Sequence, residues 1–115
     1  MNPYPTDQED ELWLIEEGKG ENGRNIASLA VYQICMKVGE VVWKEVDAWP
    51  FFAKDTIGKQ IVKSSDSIAA NLAEGHGRYS FKENLRFCFY ARGSLVETQT
   101  WLQKANNRDL LSEST

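Results

Sequence analysis

Between Asn71 and Glu97 the sequence NLAEGHGRYSFKENLRFCFYARGSLVE stops one helix and starts another within a few residues. Gly75 and Gly77 can take the positive φ angles that close a helix, where a Cβ is penalised. Ser80, followed three residues later by Glu83, forms a capping box in which each side chain satisfies an orphan N–H of the next helix. A helical hairpin is therefore encoded locally, and the rest of the chain has to pack against it. The stretch holds no nucleophile beside a base and no cluster of metal ligands.

The flanking patterns are helical too. Val31, Ile34, Val38, Val41, Val42 and Val46 recur at spacings of three, four and seven, which predicts one apolar face on a first helix over about 26–49. Lys37, Glu40, Lys44 and Asp47 fall on its other faces, and Pro50 ends it. A short linker over 50–55 follows, with Phe51 and Phe52 expected over the end of the bundle and Asp55 or Thr56 as the next cap. In a second helix, about 56–75, Ile57, Ile61, Ser64, Ser65, Ile68 and Leu72 line one side and Lys59, Lys63 and Asp66 the other. Its serines and alanines let neighbouring helices approach closely, so it belongs at the centre.

The third helix, about 81–106, is apolar on two sides. Phe81, Leu85, Cys88, Phe89, Leu95 and Leu102 form the expected core stripe. Roughly 200° away, at about 100° per residue, stand Phe87, Ala91, Ser94 and Trp101. One bundle core covers one side only, so these four residues are the expected interface between copies of the chain. Gly93, inside this helix, predicts a close backbone contact. Residues 106–115 form a polar turn anchored by Leu110 and Leu111.

Charge divides the 115 residues unevenly. Residues 1–23 hold seven acids against Lys19, so the arm carries −6 of a net −4 and the body is left at +2. With Pro3, Pro5 and three glycines as well, residues 1–25 read as an acidic, mostly disordered arm ahead of one bundle domain, 26–115. The island Leu12–Ile15 is either part of a free tail or a segment that docks on a groove. No run approaches the ~18 apolar residues of a membrane span, and no signal peptide opens the chain. Cys35 and Cys88 sit within helical patterns, as small buried hydrophobes of a reducing cytoplasm do.

His76 is the single histidine, so no catalytic triad or histidine metal cluster can form within one subunit; no catalytic residue, metal or other cofactor is expected. Arg78, Lys82 and Arg86 follow at intervals of four as a basic ridge, and Lys59 and Lys63 make a shorter one. Such ridges neutralise phosphates without reading bases; they also serve as solvated faces, with Arg78 pairing Glu74 or Glu83. Trp43, Trp49, Trp101, Tyr32 and Tyr90 either stack on bases or pack in cores and interfaces.

The run SIAANLAEGHGRYS, then FKENLRF and ARGSLVET, closely resembles the four helix bundle protein family, which includes proteins encoded by intervening sequences in bacterial 23S rRNA genes. LAVYQICMKV and Trp49-Pro50 look like that family's first helix, and the resemblance covers about residues 27–111. It implies an all-α, antiparallel up-and-down bundle of the four-helix type that assembles into a ring, commonly a homopentamer, without assigned catalysis. More distant relatives assist diversity-generating retroelements by binding nucleic acid and a reverse transcriptase. The chain departs from the pattern in stopping where a fourth helix would begin, so three long helices and an exposed groove are expected. The function expected is that of a non-enzymatic, cytoplasmic homo-oligomer that binds RNA or single-stranded DNA through Lys59, Lys63, Arg78, Lys82 and Arg86. The alternative is a protein–protein scaffold without nucleic acid. Neither reading calls for a membrane or a small-molecule substrate.

Overall fold

A computed structural model of the chain describes Ile26 and residues 29–113. The acidic arm and its Leu12–Ile15 island lie outside the described residues. Helix α1 spans Ala30–Asp47, starting later than expected because Leu29 is extended, at φ −75° and ψ 126°. Pro50 separates it from the next helical rod, but not as the start of a linker. At φ −59° and ψ 153° it is itself the N-cap of α2, Phe51–Ala53, which passes through a π-helical turn, Lys54–Gly58, into α3, Lys59–His76. Neither Asp55 nor Thr56 caps this rod. Asp55 pairs with Lys59 at 2.7 Å, and the Thr56 hydroxyl donates back to the Phe52 carbonyl at 2.7 Å. Because the rod begins at Phe51, Phe51 and Phe52 stand on its outer side, 78% and 80% exposed, rather than over the bundle end.

Helix α4, Phe81–Asn107, completes the fold, and no strand occurs among the described residues. Ser80 caps it as its sequence predicts, accepting from the Glu83 N–H at 3.1 Å. The preceding turn does not use positive φ: Gly77 sits at φ −79°, ψ −3°. Gly75 is needed for proximity instead. A Cβ there would lie 2.7 Å from the Phe87 Cβ and 3.1 Å from the Asn84 carbonyl, so α3 and α4 nearly touch backbone to backbone. Gly93 has open space around it, and the close contact expected there is absent.

Helix α3 is central, with α1 packed on one flank and α4 on the other. Ile57, Ile61, Ser64, Ser65 and Ile68 are buried along it, as expected. At one end of the 47 × 26 × 26 Å molecule, Val42, Val46, Trp49, Ile57, Ile61 and Ala105 form the main apolar cluster. Leu110 and Leu111 pack against it, and Ser112 donates twice to the Glu45 carboxylate, at 2.7 Å and 2.8 Å. Towards the other end the core thins to small and polar groups. There the Thr98 and Ser64 hydroxyls meet at 2.9 Å, and Thr98 reaches the Ser94 carbonyl at 2.8 Å.

Helix α4 stops on a left-handed residue that is not glycine, Asp109 at φ 56°. The Leu110 N–H reaches the Ala105 carbonyl at 3.0 Å and the Asp109 N–H that of Asn106 at 3.1 Å, which is the Schellman pattern. A Cβ in this region is penalised, so Asp109→Gly should raise stability by about 1 kcal/mol. A higher urea midpoint at unchanged slope checks it.

Candidate nucleic-acid and assembly surfaces

The five basic residues singled out by spacing do not form one patch. Ser64 faces Thr98 and Gly75 faces Phe87 across the antiparallel α3–α4 pair, which fixes the register. Lys59 and Lys63 therefore sit at the Thr98 end, and Lys82 and Arg86 roughly 18 Å or more away at 1.5 Å per residue. Lys63, Lys82 and Arg86 are exposed, and Lys59 is held by Asp55. Arg78 is not a free cation of the ridge. It lies in the turn before α4, bonded to Glu74 at 2.6 Å and stacked over the Phe87 ring at 4.8 Å. Its role here is to tie the turn to both helices.

A lysine that spacing did not reveal joins the α3 pair. Lys54, Lys59 and Lys63 rim a cleft of about 330 Å³ between α1 and α3, with Trp43, Val46 and Val62 inside it. Lys54 also lies 3.5 Å from Asp47. Trp43 and Lys54 meet only through the packing of two helices, and no local pattern announces that.

The two sides of α4 are the reverse of the sequence expectation. Ala91 is 4% exposed, Ser94 lies 3.5 Å from Asn71, and Trp101 packs against the main cluster. Phe87 lies against Gly75 and under Arg78. Ala91 is thus buried, and Phe87, Ser94 and Trp101 half-buried, against their own protomer rather than standing free on the surface. The stripe assigned to the core faces outward instead, with Phe81 80% and Phe89 57% exposed and Leu85, Cys88 and Leu95 beside them. Only Leu102 of that set is drawn inward. The reason is size. Close approach at Ser64 and Ser65 leaves room for only alanine, serine and threonine along the middle of α4. Rings enter the inward side only at its ends, Phe87 beside Gly75 and Trp101 at the main cluster. α1 is rotated in the same sense, burying Gly39, Val42 and Val46 and exposing Val31, Ile34 and Val41.

A trough of about 470 Å³ continues the α1–α3 cleft towards the other end, lined by Tyr32, Met36, Gly39, Glu40, Asp66 and Ala69 among others. Gly39 makes room for Asp66, whose carboxylate oxygen lies 2.7 Å from where a Cβ would be. Desolvation, and then the Glu40 carboxylate, hold the Asp66 carboxyl above its usual value. Such a group binds its proton more tightly folded than unfolded, so it favours the fold at low pH and costs stability once charged. In the dissociated protomer, Asp66→Asn should therefore unfold at a slightly higher urea concentration than the parent at pH 7, the effect kept small by solvent screening. The gain should vanish near pH 3, below both values, in urea titrations at the two pH values.

Burial lowers the His76 pKa from 6.5, so its contribution is intact above that pH and is lost as pH falls through it. Cys35 is half-buried, with its thiol pushed up by desolvation, while Cys88 is exposed rather than buried; both are free. Among the described residues no group of three or more histidine, cysteine, aspartate or glutamate side chains could hold a metal ion. No described helix is long and apolar enough to cross a membrane.

The described residues thus form an all-helical bundle of three long rods, with apolar faces turned outward and dispersed basic groups. The profile of one family, described as 23S rRNA-intervening sequence protein, matches residues 27–115, and the chain belongs to that family. No curated protein and no solved structure matches it.

Proposed function

We propose that this protein is a non-enzymatic bundle protein that assembles with copies of itself into a ring and binds RNA or single-stranded nucleic acid through basic groups that the ring repeats. The observation that carries the reading is the outward side of α4. Phe81, Leu85, Phe89, Leu95 and Val96 are exposed over some four turns, and contiguous apolar surface of that kind marks an interaction site. Ring closure, most simply with five copies, follows the family resemblance.

The nucleic-acid part rests on the +2 body and on the free side chains of Lys63, Lys82 and Arg86. Each protomer offers two small basic patches, which are weak singly. Repetition around a ring multiplies their contacts on one strand. Light scattering should give a mass several times 13.1 kDa. Filter binding to structured RNA should be tight at low salt and fall steeply as salt rises. An assembled protein that retains no RNA even at low salt would leave the scaffold alone, engaged with proteins only.

A further inference from the structure

We propose that the outward face of α4 in one copy lies in the α1–α3 groove of the next, so that the subunits join head to tail. The inference rests on the self-assembly proposed above and names the two surfaces that meet. The cleft beside Trp43 and the trough beside Asp66 are halves of one channel. Tyr32, Met36, Gly39, Trp43 and Asp47 on α1 follow each other at spacings of three and four, facing Lys59, Val62, Asp66, Ala69 and Ala73 on α3. From Tyr32 to Asp47 the channel is roughly 22 Å long, and the exposed apolar run from Phe81 to Val96 is roughly the same at 1.5 Å per residue. The channel floor carries small side chains, Gly39, Ala69 and Ala73, which leave room for the rings that α4 presents.

Charge selects the pairing. Arg92 stands within the outward face of α4 and Lys82 beside it, with no acid between them on that side. Two such faces brought together would oppose cations without a counter-charge. The channel holds Glu40 and Asp66 at its middle, where a neighbour's Arg92 finds carboxylates, while Lys82, about 15 Å further along α4, stays outside that pair. Desolvation of Asp66 agrees with a site that gains from an incoming cation. The two surfaces differ, so the contact is heterologous, and repeating it gives a closed ring or an open filament.

Two substitutions test the pairing, each at a side chain more than half exposed in the protomer: Phe89→Glu on the α4 face and Trp43→Glu in the channel. Circular dichroism should show unchanged helix content for both. In light scattering each variant alone should drop to the 13.1 kDa protomer mass. An equimolar mixture should form two-protomer species and nothing larger, because only one intact face and one intact channel remain per pair. If Trp43→Glu assembles like the parent, or the mixture stays at protomer mass, the head-to-tail contact is wrong although assembly stands. If the parent chain itself runs as a single protomer, the assembly reading falls, and this contact with it.

Discussion

Gly75→Ala should unfold at a lower urea concentration than the parent chain, and Gly93→Ala at a higher one, although both replace a glycine by the best helix former. The sign is decided by what the new methyl group meets. At Gly75 it would lie 2.7 Å from the Phe87 Cβ, 2.9 Å from Asn84 Oδ1 and 3.1 Å from the Asn84 carbonyl. The Asn84 side chain can turn away, but a Cβ and a carbonyl move only with the α4 backbone, so the helices must part. Overpacking of this kind costs about 1–3 kcal/mol and outweighs the ~1 kcal/mol that alanine gains in a helix. The net loss expected is up to about 2 kcal/mol. At Gly93 nothing lies within 4 Å, and the helix propensity gain of about 1 kcal/mol survives whole. Equal midpoints for the two variants would mean that α3 and α4 are not in near-backbone contact at the turn.

Ile61→Ala should be the most damaging single truncation, with a loss of about 3–4 kcal/mol in urea unfolding at fixed protein concentration. Ile61 is 1% exposed, and its neighbours Val42, Val46, Trp49, Ile57 and Ala105 come from α1, the π-helical turn, α4 and the segment before Pro50. Elements held in place by one another collapse only partly into a cavity, so both the transfer and the cavity penalties apply. Loss of that size removes a large fraction of the 5–15 kcal/mol typical of a domain. Ile34→Ala provides the contrast. It truncates an isoleucine from an equally regular apolar stripe, but one that faces solvent in the protomer, and should cost under about 0.5 kcal/mol. Comparable losses at the two sites would show that Ile34 shares the core.

That contrast measures how far the sequence can be read. Periodicity identified Ile34 and Ile61 alike as members of apolar stripes, and only the packing separates them. The position of α3 was legible because Ser64, Ser65 and Ala69 are too small to form a core unless other helices come close. The anchoring of Leu110 and Leu111 was legible because they are the only apolar groups in a polar turn. The candidate site was less so. Arg78 belongs to a spacing of four with Lys82 and Arg86, yet Glu74 and Phe87 hold it in the turn. Lys54 joins Lys59, Lys63 and Trp43 only across two helices.

The order of amino acids alone determined that these stretches are helical, the Ser80 cap and the break at Pro50, because each depends on residues within a turn or two of one another, and the small side chains of α3 announced its central place. Tertiary structure alone decided which side of α4 is inside. Both sides are apolar enough to be buried, so hydrophobicity could not choose between them. Interhelical distance chose: along the middle of α4 the backbones lie so close that Ala91, Ser94 and Thr98 fit between them, with Phe87 admitted beside Gly75 and Trp101 at the main cluster, and Phe81, Leu85 and Phe89 are left facing out.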